Sequence, residues 1–308
     1  MIGPCQQALL PGEAHDGTPL ALEAEEAASI PRLTFGSDRP LRRRFFAPQA
    51  FLHPAKLHLG LLQYLVDRYT CPGDILCDPM AGSGSILLAA LSGRDVIARD
   101  LEPHWVDLMR RNAERISKQA GLFAGQMAIE QANAMQPWGL TREVDAVICS
   151  PPYGCEMSAS PHTQKTLPYR LSRLPQHHDR WDRFLGAPNG ATAAMLAFHY
   201  GTSVGQIGGF RGRRYWRAMH TVYEQAHEAL RPGGKLILIL KDHIKDGQRV
   251  PTTDRTIEVC QDIGFQLTER FARQVHPLSL WQRRRKEQGL PVVEEEDVLI
   301  FRKGQEGS

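Results

Sequence analysis

The chain has little that would mark it as secreted, membrane-spanning or metal-dependent. Its six cysteines form no CxxC pair and have no His-x-x-x-His partner, so the ligand spacings of a zinc site are missing and no metal is expected. No apolar run approaches the ~20 residues of a membrane span. No charged stretch leading into an apolar one opens the sequence, and with reduced cysteines this predicts a cytoplasmic protein away from membranes. Neither sign of charge dominates, since 37 Lys+Arg against 34 Asp+Glu leave +3. Net charge therefore neither demands nor excludes a nucleic acid, and only local patches can speak to one. Residues 1 to about 35 lack periodicity and are rich in Ala, Glu, Gly and Pro. They read as a weakly ordered arm, 1–40, ahead of a single domain over 41–308.

What is present is organised around Asp78–Ser85, DPMAGSGS, which follows the apolar Ile75-Leu76-Cys77 and leads into Ile86-Leu87-Leu88-Ala89-Ala90. That order is strand, glycine turn, helix. Gly82 and Gly84 can take positive φ and let backbone N–H groups approach a ligand, which makes the turn a nucleotide or cofactor cradle. GSG is short of the full GxGxxG fingerprint, and a tight turn without a ligand is the alternative. A second stretch, Ser150-Pro151-Pro152-Tyr153, stops the apolar run Val144–Cys149 abruptly, because two prolines remove ladder donors and fix φ. Both stretches fall just past predicted strands in an alternating β/α pattern, where open α/β sheets bind ligands.

In this order the two motifs resemble those of the S-adenosylmethionine-dependent DNA amino-methyltransferases, with a DPFxGSGT-like cofactor motif and a (D/N/S)PP(Y/F/W) catalytic motif. His53-Pro54-Ala55-Lys56 extends the likeness upstream. The motif order, cofactor half before catalytic half, is gamma-like. The resemblance implies an α/β fold of the Rossmann-like class I methyltransferase type. That is a doubly wound, mostly parallel seven-stranded sheet with an antiparallel C-terminal hairpin, here built from 265–275 and 297–302. It also implies S-adenosylmethionine as cofactor and transfer of its methyl to the exocyclic amine of a flipped DNA base. Ser150 leans toward cytosine N4, with adenine N6 second, and an RNA or protein amine is the other enzymatic reading. An inactive cofactor-binding nucleic-acid protein is the non-enzymatic one.

Carried over by position, Asp78, Pro79, Ala81, Gly82, Ser83 and Gly84 form the cofactor turn, and His53 and Lys56 flank the methionine end. Asp100 lies 100 − 84 = 16 residues after Gly84, close to the ~20 at which an acid meets ribose hydroxyls. A helix-start acid is its alternative role. Asn133 stands where an amide would meet the adenine edge, or is a turn asparagine. Ser150 and the Pro151 carbonyl would accept hydrogen bonds from the target amine, Pro152 would stiffen the turn, and Tyr153 would stack on the base.

Residues 154–214 are irregular and read as a recognition or lid insertion. At its end Arg211, Arg213, Arg214 and Arg217, with Tyr215 and Trp216 interleaved, suit both phosphate contact and base stacking. Arg42-Arg43-Arg44 before Phe45-Phe46 is a similar run, read either as a phosphate clamp or as a solvated loop. A third basic stretch holds Arg283 to Lys286. DNA is the expected partner, ahead of RNA. A cognate restriction endonuclease and a monomeric or dimeric state are compatible with this reading.

Overall fold

The computed structural model describes residues 22–23, 30–53, 55–152, 201, 203–245, 247–275 and 280–305. Eleven strands occur among the described residues, in chain order. They are β1 (Leu22–Glu23), β2 (Arg32–Leu33), β3 (Ile75–Asp78), β4 (Asp95–Asp100), β5 (Met127–Gln131) and β6 (Val144–Cys149), then β7 (Leu230–Leu240), β8 (His243–Lys245), β9 (Gln248–Val250), β10 (Phe265–Gln274) and β11 (Glu295–Lys303). Among the described residues six α-helices accompany them: α1 (Arg39–Phe45), α2 (Leu59–Tyr69), α3 (Pro103–Ser117), α4 (Gly212–Ala229), α5 (Thr252–Ile263) and α6 (Leu280–Glu287).

Nine strands form one sheet in the order β1-β2-β10-β11-β7-β6-β3-β4-β5. The run from β7 to β5 is parallel throughout. β11 is antiparallel to both of its neighbours. This is the Rossmann-like arrangement of class I methyltransferases, with the antiparallel hairpin expected at the C-terminus. The sheet is wider than the seven strands expected, because β2 adds in parallel to β10 and β1 follows it. Within the span read as an arm, Leu22–Glu23 and Arg32–Leu33 thus pair into the sheet. Leu33 is buried at 2% exposure, since an apolar residue on a strand beside β10 falls onto the core face.

β3 is buried at all four positions, as a central parallel strand covered on both faces must be. One core lies between the sheet and α1, α2 and α3, built on Leu59, Leu62, Leu65, Trp105 and Met109. The other lies under α4 and α5, built on Met219, Val222, Tyr223 and Cys260. α3 and α4 are therefore amphipathic helices whose apolar stripes face opposite sides of one sheet.

Two local differences from expectation have clear causes. The helix after the glycine turn is an eight-residue 3-10 helix, Ser85–Ser92, bounded by Gly84 and Gly93, both left-handed at φ 80°. Pinned at both ends by reversals, it stays a tight, short coil. α2 begins at Leu59, where the His58 ring nitrogen accepts from the Leu61 N–H at 3.3 Å; Pro54, ahead of it, lies outside the described residues. α6 has no counterpart in the sequence reading, because LWQRRRKE carries no apolar stripe to announce it.

A cleft at the carboxyl ends of the central strands

From β3 the chain runs outward through β4 to β5, then returns to β6 on the other side of β3 and continues to β7. Strand order reverses between β3 and β6, which is where open α/β sheets form a ligand crevice. Leu76 and Cys77 are in register with Ala146 and Val147. The glycine turn after β3 and the Ser-Pro-Pro turn after β6 therefore open on the same cleft. The cleft is partly open to solvent.

Of the expected cofactor residues, His53, Lys56, Asp78, Pro79, Ala81, Ser83, Asp100 and Asn133 line this cleft, and so do Ser150 and Pro152. Gly82 and Gly84 underlie it instead of lining it. Gly82 sits at φ +54°, and a Cβ there would come within 2.4 Å of His53 Nε2. Its N–H donates to Asp100 Oδ2 at 2.9 Å. A side chain at 82 would thus break the link between the turn and the acid at the end of β4.

Burial sets the ionisation of this floor. It pushes the Asp78 carboxyl up to about 7, against the Met80 N–H that donates to it at 3.0 Å. Burial likewise raises Asp100 to about 6, opposed by the Glu102 and Gly82 N–H groups. Asp100 Oδ2 takes the Gly82 N–H and Oδ1 the Glu102 N–H; with the Leu101 N–H as a further donor, the carboxylate's four lone pairs still leave room for a ligand. His53 is driven down to about 3 by burial. Its neutral ring meets Trp105 edge-on, with centroids 4.6 Å apart. Burial also lowers Lys56 to about 8, and its ammonium donates to the His53 carbonyl at 2.5 Å and the Phe51 carbonyl at 3.3 Å. Asn133 turns its side-chain oxygen onto the Met135 N–H at 3.0 Å. No described residue hydrogen-bonds its amide nitrogen, which leaves a donor for a ligand.

Pro151 is buried beside the cleft, and Tyr153 lies outside the described residues. The Pro152 carbonyl accepts from the Tyr215 hydroxyl at 2.6 Å. Among the described residues no donor reaches the Pro151 carbonyl. Tyr215 is 2% exposed, so it is not available to stack on a base as the sequence suggested. It fastens the turn instead. Glu102 is another residue the sequence left unmarked, buried at 2% exposure and accepting three hydrogen bonds.

Arg211, Arg213, Arg214 and Arg217 stand exposed around the first turn of α4. The Arg214 guanidinium lies 3.8 Å from the Phe210 ring centroid, a cation–π contact. Among the described residues no carboxylate is within ion-pair distance of Arg213, Arg214 or Arg217. Arg42 behaves in the opposite way and is no phosphate clamp. At 2% exposure it pairs with Asp38 at 2.8 Å and donates to the Leu57 carbonyl and Ser85 Oγ. Asp242, at the end of β7, does not serve the cleft either; it caps α5 through the Thr253 N–H and hydroxyl. No group of three or more metal-ligating side chains occurs among the described residues. No described helix is long and apolar enough to cross a membrane.

The chain is similar to several known proteins. The curated tRNA (guanine(10)-N2)-dimethyltransferase of Methanothermobacter thermautotrophicus is 28% identical over 175 residues, which is 56% of this chain and 46% of that protein. The chain thus spans about half the length of the curated relative it matches. Among solved structures, TrmN from Thermus thermophilus is 19% identical with a TM-score of 0.45, covering 85% of this chain and 53% of the other. A methyltransferase from Pyrococcus furiosus is 15% identical with a TM-score of 0.44, covering 82% and 87%. Over residues 49–197, which hold both motifs, the chain matches the family described as RMKL-like, methyltransferase domain.

Proposed function

We propose that the protein transfers the methyl group of S-adenosylmethionine to an exocyclic amine of an RNA base, with guanine N2 of tRNA as the first substrate to try. The observation that carries this reading is the meeting of the glycine turn and the Ser-Pro-Pro turn in one cleft. RNA is preferred over the DNA base expected from the motifs because the curated relative is named for a tRNA guanine N2.

The donor set fits the cofactor. Asp100 offers lone pairs to the ribose hydroxyls, the Asn133 amide nitrogen a donor to the adenine, and the carboxylates of Asp78 and Asp100 a negative floor for a cationic ligand. Trp105 and Ile207 supply apolar walls. When bound, S-adenosylmethionine supplies a methyl already activated by a cationic sulfur. The protein's part is alignment and exclusion of water. An exocyclic amine has its lone pair spread into the ring, and Ser150 and the Pro151 carbonyl would hold its N–H groups so that the lone pair faces the methyl. The Pro152 carbonyl already accepts from the Tyr215 hydroxyl. At the rim, Arg211, Arg213, Arg214 and Arg217 would take the phosphates of the substrate strand.

The test is to incubate the protein with methyl-labelled S-adenosylmethionine and, separately, tRNA and duplex DNA, then identify the labelled nucleoside by mass spectrometry. N2-methylguanosine in tRNA is expected. N4-methylcytosine or N6-methyladenine in DNA would overturn the RNA assignment and leave the cleft assignment standing.

A further inference from the structure

After the insertion the chain comes back to the cleft through Gly201–Ile207 and enters α4, and this return is held at two points. On the cofactor side, the buried Glu102 carboxylate accepts from the Ser203 N–H at 3.0 Å, the Ser203 hydroxyl at 2.9 Å and Gln206 Nε2 at 3.0 Å. An ionised carboxylate is an acceptor with room for all three, and such charge-assisted bonds are the strong ones. The fit is close enough that a Cβ on Gly201 would lie 1.9 Å from Glu102 Cδ. The backbone N–H of the same Glu102 donates to Asp100 Oδ1 at 2.9 Å, so one residue joins the cleft floor to the return segment. On the other side, the Tyr215 hydroxyl holds the Pro152 carbonyl. Between the two anchors, Gly205, Gln206 and Ile207 form a wall of the cleft.

We infer that Glu102 and Tyr215 are positioning residues, through which one return segment sets both the wall of the cofactor cleft and the Ser150–Pro152 turn. Glu102 acts on cofactor binding by seating Ser203–Ile207. Tyr215 acts on methyl transfer by fixing the Pro152 peptide, so that the neighbouring Pro151 carbonyl keeps its direction. The turnover part of this inference rests on the proposed methyl transfer; the anchoring part does not.

The test uses the full chain with Glu102→Gln, Gly201→Ala, the double variant, and Tyr215→Phe. Glu102→Gln and Gly201→Ala should each weaken S-adenosylmethionine binding about tenfold by calorimetry. The double variant should bind no worse than the weaker single one, because both changes break the same contact. Tyr215→Phe should keep the cofactor Kd within about twofold while lowering kcat about tenfold, with KM for RNA unchanged. Amide exchange should quicken at 203–207 in the first two variants and at the start of α4 in Tyr215→Phe, with β3, β6 and β7 protected as in the wild type. Unchanged exchange at those places, additive losses in the double variant, or a Tyr215→Phe protein with wild-type kcat would overturn the inference. A wild-type protein that neither binds S-adenosylmethionine nor methylates RNA would reject the functional reading alone. The exchange data would still decide the two anchors.

Discussion

The floor of the cleft and its rim are both built from charged residues, and they use them in opposite ways. On the floor and beneath it, Arg42, Asp78, Asp100 and Glu102 are all below one-tenth exposed, and each makes hydrogen bonds inside the protein. On the rim, Arg213, Arg214 and Arg217 face solvent with no carboxylate within reach among the described residues. In sequence the contrast is invisible, since Arg42-Arg43-Arg44-Phe45-Phe46 and Arg213-Arg214-Tyr215-Trp216-Arg217 are both arginines next to aromatics. What separates them is the surroundings. Asp38 lies one helical turn before Arg42, at i,i+4, and accepts its guanidinium. α4 opens with no acidic residue in its first turn. A buried charge contributes to one geometry, whereas an exposed one remains available to a partner.

The largest effect that would break this contrast is on the floor. Arg42→Ala would leave Asp38 without its partner and the Leu57 carbonyl without a donor, and should destabilise the fold by about 3 kcal/mol, read as a lower midpoint in urea. An unchanged midpoint would mean Arg42 belongs with the rim arginines.

A smaller effect comes from pH. Asp78 and Asp100 titrate at about 7 and about 6 in the folded chain, above the ~3.9 of an unfolded carboxylate. Between those values the folded state holds the extra protons, so the ligand-free protein should lose stability as pH rises, on the order of 2 kcal/mol from pH 6 to 8. Cofactor binding should run the other way, because ribose hydroxyls and a cationic ligand favour the ionised carboxylates. The affinity should rise through pH 6 to 7, and calorimetry across that window with a flat profile would remove the carboxylates from the binding step.

The smallest effects belong to the rim. Arg213→Ala and Arg217→Ala should leave thermal stability alone, weaken RNA binding by about 1 kcal/mol each, and reduce the slope of log K against log salt by about one. Loss of stability without a change in that slope would move these residues to the structural side of the comparison.

Much of the fold and the floor was legible because their signals are short-range. β6 falls at Val144–Cys149, the apolar run read as a strand, and the hairpin strands lie within about two residues of their expected ends. The DPMAGSGS and SPPY stretches and the 16-residue step from Gly84 to Asp100 pointed to Asp78, Gly82, Asp100 and Ser150, which the fold gathers at the cleft. The residues that were missed act over distances no local pattern reports. Tyr215 and Pro152 are 63 positions apart, Glu102 and Ser203 are 101 apart, and Arg42 and Ser85 are 43 apart. In each case the residue type permitted several roles, and only a partner brought in by the sheet decided among them.

The Tyr215–Pro152 bond also says something about how this scaffold can change. It pins the two ends of the 153–214 segment at one point on the rim, while β3, β4, β6 and β7 lie wholly outside the loop it closes. Lengthening such a closed loop is cheap, about 0.6 kcal/mol for each doubling. The stretch between the pins can therefore change length at little cost to the sheet, so long as Ser203 and Gln206 still reach Glu102.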